Sequence, residues 1–303
     1  MISMVALLGA FESGMIYAVL ALGVFLSFRT LNTPDLTVDG SVVTGAAASA
    51  MVCSAGLSPV LGLGAAFVLG CAAGAVTALL NTKLKIQPLL AGILVMLGLY
   101  SINLRIMGSK PNVPLMKSET IYKRAQAVLP EDMAGLVLGV VILCAVILLL
   151  YFFLKTRAGF ALRATGDNED MVRAAGINSD AQKLLGLSLS NGLVGLAGGM
   201  LAQYQSFADV TMGTGMVVIG LASVILGEAK FGVSSLARRL IAVSLGAILY
   251  RVVIALALHL GMPASDLKLV SAAIVTIALA LGLLGESFSI KSLLGRKERG
   301  RDA

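Results

Sequence analysis

The sequence predicts an all-α protein, a polytopic transmembrane helical bundle with about nine spans, and two observations carry this prediction. Of the 303 residues, 58% are hydrophobic and only 13% are charged, whereas soluble domains carry about 25% charged residues. Apolar runs of about 20 residues, the length that crosses the hydrocarbon core of a bilayer, recur along the whole chain. We therefore expect a single transmembrane domain over residues 1–303, without a separate soluble domain.

The apolar runs give nine candidate spans, and the first of them has neither a basic leader nor a small-residue cleavage site, so we interpret it as a retained span. The second and seventh candidates are the weakest because they are rich in Gly, Ala, Ser and Thr. That composition suits close helix packing or a broken, re-entrant segment inside the protein. The candidates are 4–28, 40–57, 59–80, 88–108, 133–154, 184–204, 213–229, 239–258 and 267–286.

The distribution of basic residues predicts the orientation of the bundle. Cytoplasmic loops of membrane proteins are enriched in Lys and Arg, and with the N-terminus outside most of the 23 basic residues fall on the inner side. They concentrate in the loop 155–183 and in the basic tail 290–303, whereas the outer loop 109–132 contains four. We therefore expect an N-out, C-in chain whose net charge of +7 reflects membrane topology and not a nucleic-acid partner. The outer loop either contacts a soluble partner or simply connects two helices.

The loop 155–183 is the longest polar segment on the predicted inner side. Residues 167–175 within it are expected to form a short helix, because Asp167 or Asn168 can cap its start and Gly176 can follow its end. Connectors between adjacent helices are usually only about 2–8 residues long. The length and internal structure of this loop favour a docking element at the inner surface over a plain solvated connector.

The string LRATGDNEDMVRAAGINSDAQKLLGLSLSNGLVGLAGGMLAQ, residues 162–203, resembles the cytoplasmic loop and following span of ABC importer permeases of the branched-chain amino acid, ribose and nucleoside class. The segments PDLTVDGS, GLASVILGE and ILYRVVIALAL resemble the tryptophan/tyrosine-type subgroup of these permeases. The resemblance extends over nearly the whole chain. The family pattern "RA…N…A…GI" is matched by Arg163, Ala164, Asn168, Ala174, Ala175, Gly176 and Ile177.

The resemblance implies a multi-pass permease subunit of the bacterial inner membrane. Such a subunit pairs with a second copy in a homodimer, binds two cytoplasmic ABC ATPase subunits and receives an extracytoplasmic substrate-binding protein. The implied solute is small and polar, an aromatic or branched-chain amino acid. Because the chain contains no G-x-x-x-x-G-K-[ST] phosphate loop, we expect it to be neither an enzyme nor a cofactor-binding chain, with ATP-Mg bound by the partner ATPase. Lipid is the other expected contact.

The ATPase contact is expected first at residues 163–178 and second at residues 228–239, which follow the next descending helix. Both segments lie inside in the predicted topology. The predicted coupling residues are Arg163, Ala164, Gly166, Asp167, Asn168, Glu169, Met171, Val172, Ala175, Gly176, Ile177 and Asn178, and the second contact comprises Glu228, Lys230 and Phe231.

Polar groups inside the apolar sequence form a further candidate site. Asp35 and Asp39, four residues apart, are expected to share a face of the second helix, with Pro34 in its first turn. This face either lines the translocation pathway or the dimer interface, or it is a capped helix start whose acids meet headgroup water and Arg29. The pathway or intramembrane polar candidates are Glu12, Asn32, Asp35, Thr37, Asp39, Ser41, Thr44, Asn191 and Arg251.

Arg251 lies near the middle of the eighth span, where an arginine costs about 2.5–3.5 kcal/mol on insertion scales and needs a partner or a wet cavity. Glu12 is the first candidate partner and Asp39 the second, in either a structural ion pair or a pathway charge. An alternative function is an ion- or proton-coupled secondary transporter that uses Glu12, Asp35, Asp39 and Arg251 as a relay. A membrane enzyme is disfavoured because the single histidine, His259, has no catalytic or metal-binding companions in the sequence.

Overall fold

The computed structural model describes residues 4–262 together with Leu269, Ala272, Ala273 and Thr276. This part of the chain is helical, with one small sheet. The helices are α1 (Met4–Val24), α2 (Thr37–Ser54), α3 (Pro59–Thr82), α4 (Pro88–Ile106), α5 (Ile121–Gln126), α6 (Glu131–Lys155), α7 (Arg157–Asp167), α8 (Glu169–Ala174), α9 (Ser179–Gln205), α10 (Met216–Phe231) and α11 (Leu236–His259), and the strands are β1 (Asn112–Pro114) and β2 (Phe207–Asp209).

Six of the described helices are long and apolar enough to cross a membrane: α1 with its extension, α3, α4, α6, α9 and α11. The two weak predicted spans also form helices, but α2 has 18 residues and α10 only 16, and neither is among the six. The ninth predicted span, 267–286, and the tail 290–303 lie outside the described residues apart from four isolated positions. The helical class of the prediction is therefore confirmed, whereas the number nine stays a prediction.

The first span continues beyond α1 as a π-helical segment, Phe25–Thr30. Its wider turn is visible in the hydrogen bond from the Leu31 N–H to the Leu26 carbonyl, which joins residues five apart at 3.0 Å. Asn32 then adopts a φ of 50°, and the chain turns back towards the interior. The second helix consequently begins at Thr37 and not at Pro34, so the prediction of Pro34 in the first turn is wrong.

Helix α2 is the central element of the bundle, and it packs against α3, α4 and α9. Small residues allow its backbone to approach α9 closely: a β-carbon at Gly45 would collide with the Gly195 carbonyl, and one at Gly198 with the Val42 carbonyl. The small-residue composition that makes the second span weak by hydropathy therefore serves close helix packing.

The bundle has two structured ends. At one, the sheet end, β1 pairs antiparallel with β2 in the register Val113 opposite Ala208. At the other, the α7–α8 end, helices α7 and α8 connect α6 to α9. The sequence predicted one short helix in the loop 155–183, but the structure has two, since Thr156 caps α7 by accepting a hydrogen bond from the Gly159 N–H.

Candidate functional site

The predicted short helix is α8, and the structure decides between its two proposed caps. The Asn168 side chain accepts a hydrogen bond from the Met171 N–H at 3.0 Å, whereas Asp167 is the last residue of α7. Ala175 is the C-cap, and Gly176 follows it with a φ of 80°, a conformation that glycine adopts without strain. Asn168 and Gly176 thus perform the roles that the sequence predicted.

Charged side chains fix α8 to the start of α9. The Glu169 carboxylate contacts the Lys183 ammonium at 2.6 Å and the Arg173 guanidinium at 2.7 Å, and Arg173 also reaches Asp180 at 3.2 Å and donates to the Ser179 hydroxyl at 2.6 Å. Partial burial acts to raise the pKa of Glu169, but the hydrogen bond and charge of Lys183, with Ser179 and Arg173, outweigh it and hold the pKa below its usual value. The network links α8 to the first turn of α9.

Three apolar side chains on α7, α8 and the turn after α8 are exposed. Phe160 and Met171 are each 61% exposed, and Ile177 is 37% exposed; these three residues are called the α7–α8 apolar surface below. The Arg163 guanidinium lies 4.4 Å from the Phe160 ring centroid, and a groove of about 510 Å³ with Lys155 and Arg157 at its edge runs beside Phe160 and Ile177. By contrast Val172 is buried against the bundle, so only part of the predicted coupling segment faces outward.

The second predicted contact lies at the same end, with one correction. Lys230 and Phe231 form the accessible end of α10. The Glu228 carboxylate, however, is only 7% exposed and accepts from the Arg29 guanidinium at 2.6 Å. Glu228 is therefore occupied inside the protein and does not belong to an outer contact surface.

Asp35 is completely buried and lies deep in the bundle. One carboxylate oxygen accepts from the Thr37 N–H at 2.8 Å, and the other accepts from the Asn191 amide at 2.6 Å, near the middle of α9. The Asn191 carbonyl oxygen in turn accepts from the Ser41 hydroxyl at 2.7 Å, while Thr37 pairs with Thr77 of α3. Asp35 thus accepts a hydrogen bond from the first backbone N–H of α2 and links α2 to α9.

Asp39 caps a different helix, α10. Its carboxylate accepts hydrogen bonds from the Gly215 N–H at 2.9 Å and the Val217 N–H at 2.8 Å, at the start of α10. A carboxylate beside a helix N-terminus is favourable because it satisfies orphan donors and complements the helix dipole. Helix α10 therefore begins inside the protein with its cap supplied by α2.

These contacts correct the prediction that the two acids share one face. Asp35 precedes α2 and bonds to α9, whereas Asp39 on α2 bonds to α10. Asn32 is exposed at the turn before them, and the Thr44 hydroxyl donates to the Gly40 carbonyl of its own helix. Neither acid pairs with Arg29, which binds Glu228 instead. The buried Asp35 and the partly buried Asp39 therefore act as helix caps and not as a headgroup contact.

The predicted partner of Arg251 is also corrected. Its Nε donates to the Ser13 hydroxyl at 3.2 Å, and its guanidinium lies 4.3 Å from the Tyr17 ring centroid. Glu12 instead accepts a hydrogen bond from the Tyr204 hydroxyl at 3.1 Å. Within the described part of the chain, no ion pair joins Arg251 to Glu12 or to Asp39. Asp35 and Asp39 therefore lie in contacts separate from those of Glu12 and Arg251, which are near each other because Arg251 bonds to Ser13 beside Glu12.

The substitution Arg251→Ala is expected to destabilise the protein by about 1 to 3 kcal/mol, since it removes a partly buried cation–π contact and a hydrogen bond. Arg251→Lys keeps the charge near Tyr17 and should cost less. Because the chain contains no Trp, thermal unfolding of the purified protein is followed by circular dichroism. An Ala variant that unfolds at the wild-type temperature would contradict this role.

Several residues that form the site escaped the sequence reasoning. Thr77, Tyr204 and Gly215 supply partners to predicted residues, but each is distant in sequence from the group it contacts. Arg29 was expected beside Asp35 and Asp39, but the structure pairs it with Glu228. No group of three or more metal-ligating side chains occurs among the residues that the structure describes.

A bundle in which six of the described helices are long and apolar enough to cross a membrane, and in which Asp35 and Asp39 cap the shorter helices α2 and α10, defines the class of multi-pass membrane proteins. The family model described as branched-chain amino acid transport system, permease component, matches residues 6–280. The chain belongs to this family, and it is a multi-pass protein of the bacterial inner membrane.

Known relatives agree with this assignment. The chain is 40% identical over 284 residues to a tyrosine transport system permease protein of Clostridioides difficile, covering 94% of each chain. It is 29% identical over 213 residues to the ribose import permease protein RbsC of Escherichia coli K12, covering 69% of this chain and 65% of that one. The solved structure of PsaBC from Streptococcus pneumoniae in complex with Fab matches with a TM-score of 0.52 and 16% identity, over 90% of this chain and 89% of that one. That last similarity concerns the fold alone. The protein is thus a permease component of an ABC-type transport system.

Proposed function

We propose that the protein is the membrane subunit of an ATP-driven importer of an amino acid, with an aromatic amino acid as the solute. Two copies form the transmembrane pathway, and two ABC ATPase subunits bind the α7–α8 end on the cytoplasmic side. ATP-Mg is held by those subunits and not by this chain. Their closure on ATP moves α7 and α8, and the paired permeases switch access from outside to inside.

The observation that carries this proposal is the exposed apolar surface at the α7–α8 end. Ion pairs of Glu169, Arg173 and Lys183 link α8 to α9, while the α7–α8 apolar surface of Phe160, Met171 and Ile177 is left uncovered. A surface with apolar anchors and a charged rim is suited to bind a soluble protein partner. Lys230 and Phe231 lie at the same end of the bundle.

The N-out, C-in orientation supports this arrangement, because the basic loop 155–183 then faces the cytoplasm. The sheet end faces outward and is proposed to receive the substrate-binding protein. There Met116 is 79% exposed beside a groove of about 540 Å³ that Asn112, Lys123 and Phe207 help to line. The tyrosine permease relative supports an aromatic amino acid as the solute, since it is similar over nearly the whole chain.

The substitution Met171→Asp is expected to weaken binding of the ATP-binding subunit by about tenfold or more, as loss of an apolar anchor does. Met116→Asp is the matched control, because it places the same charge on an exposed methionine at the opposite end of the bundle. The measurement is co-purification of the partner ATP-binding subunit, from membranes that contain either variant. Equal recovery with both variants would contradict the assignment of the α7–α8 end.

Uptake into proteoliposomes tests the energy source and the solute. With the ATP-binding subunit and binding protein present, labelled tyrosine should accumulate only with ATP inside, and excess unlabelled tyrosine should compete better than leucine or ribose. Accumulation that survives without ATP but collapses with the proton gradient would instead support the secondary transporter.

A further inference from the structure

The π-helical segment Phe25–Thr30 contacts both α7 and α10, and α7 lies directly against it. A β-carbon at Gly166 of α7 would collide with the carbonyl oxygen of Thr30 and would lie 2.9 Å from the Leu31 Cα. Two backbones therefore meet here without an intervening side chain. Because such a contact has no flexible side chain to absorb a displacement, a shift of α7 is passed directly to the end of the first span.

The residues of α7 around this contact are closely packed. Leu162, one turn before Gly166, is fully buried, and Leu31 is 3% exposed. Both side chains approach Gly186 of α9, where a β-carbon would lie 2.9 Å from the Leu162 Cδ1 and 3.2 Å from the Leu31 Cδ2. Helix α7 is thus held between the first span and α9, and it cannot slide past the first span freely.

The same segment holds α10 through the adjacent residue. Arg29 binds Glu228 in the last turn of α10, with nitrogen–oxygen distances of 2.6 and 2.7 Å. A carboxylate near a helix C-terminus is disfavoured by the helix dipole, and the Glu228 side chain is only 7% exposed. Glu228 consequently depends on Arg29, and the end of α10 follows the position of the first span.

The local geometry of the segment suits an adjustable joint. The π turn is wider than an α turn, and π turns inside α-helices frequently occur at functional sites. The chain then reverses at Asn32 and leads through Asp35 into α2. At its other end α10 is capped by Asp39 of α2. Movement at the π-helical segment would therefore displace both α2 and α10.

We propose that Gly166 and Arg29 are positioning residues that couple ATP hydrolysis to transport, by joining α7 and α10 to the π-helical segment Phe25–Thr30. This inference rests on the proposed function, since it names the contacts through which a conformational change of the partner ATPase would be transmitted to the membrane helices. It requires neither residue to touch the ATPase or the solute. Gly166 was predicted as part of the ATPase contact, but it packs against the backbone of Thr30 and Leu31 instead.

The test uses the complete complex in proteoliposomes, with three measurements on each variant: recovery of the ATP-binding subunit, ATP hydrolysis and solute uptake. Gly166→Ala should keep the subunit bound and hydrolysis close to wild type, while uptake falls by about tenfold, within the range typical of coupling between sites. Gly64→Ala is the matched control, because Gly64 is also helical but has open space around it. It should leave all three measurements unchanged.

Arg29 supplies a second variant that leaves the backbone contact intact. Arg29→Gln should also retain hydrolysis and lose uptake, and Arg29→Lys should restore much of the uptake. If Gly166→Ala does not accumulate in the membrane, Arg29→Gln and Arg29→Lys test the proposal without it. Uptake that remains normal in Arg29→Gln, or in a folded Gly166→Ala complex, would overturn the proposal. Loss of the bound subunit together with uptake would also overturn it, because the residues would then act in docking.

The outcomes separate this inference from the proposed function. A wild-type chain that recruits no ATP-binding subunit would remove the proposed function itself. A wild-type complex that transports with ATP, and continues to do so with both substitutions, would remove only the coupling role of Gly166 and Arg29.

Discussion

Replacing Asp35 with alanine is expected to destabilise the protein by about 2 to 6 kcal/mol. The substitution leaves two buried hydrogen-bond donors without an acceptor, at a cost of about 1 to 3 kcal/mol each. The donors are the Thr37 N–H, which starts α2, and the Asn191 amide. Asn191 retains its bond to the Leu187 carbonyl, but its second amide hydrogen loses its acceptor. Water cannot easily replace the carboxylate, since Asp35 is completely buried.

The variant Asp35→Asn separates hydrogen bonding from charge at this site. An amide can still accept from the Thr37 N–H, and its NH₂ can donate to Asn191 if that side chain flips, with the Ser41 hydroxyl then acting as acceptor. The flip gives up the bond from Asn191 to the Leu187 carbonyl, so we expect Asp35→Asn to be intermediate in stability between the wild type and Asp35→Ala. Thermal unfolding in detergent, followed by circular dichroism, gives both values. An Ala variant as stable as the Asn variant would show that the network contributes little.

Replacing Asp39 with alanine is expected to release the start of α10. The Gly215 and Val217 N–H groups would lose their acceptor, and the helix would lose the carboxylate that complements its dipole. The cost should be about 1 to 2 kcal/mol, as for loss of a helix N-cap, because Asp39 and Gly215 are only partly buried. The effect should be local, so hydrogen exchange is expected to accelerate in residues 213–224.

Two controls accompany this measurement. Asp39→Asn keeps one oxygen acceptor and should show intermediate exchange, while Asp170→Ala removes an exposed acid from α8 and should leave α10 unchanged. Amides of α11 serve as the internal reference in every variant. Exchange at the start of α10 that stays slow in Asp39→Ala would disprove the capping role of Asp39.

The local features of the α7–α8 end could be predicted from sequence because they depend on near neighbours. Asn168 caps the helix that follows it, and Gly176 takes the left-handed conformation just after its end. Helix α7 was missed, since its only local start signal is Thr156 and its charged residues resemble a solvated loop. The partner of Arg251 was also wrong, because hydropathy gives depth in the membrane but not the rotation of one helix against another.

The sequence by itself determined the membrane class, the apolar spans and the short capped helix, since these follow from composition and from contacts within a few residues. Only the tertiary structure decided what the buried charges do. Asp35 reaches Asn191 and Asp39 reaches Gly215, at separations of 156 and 176 residues, and Gly166 meets Thr30 through backbone alone. Such pairings depend on how helices pack across the bundle, where each buried polar group must find a partner because neither water nor lipid can supply one.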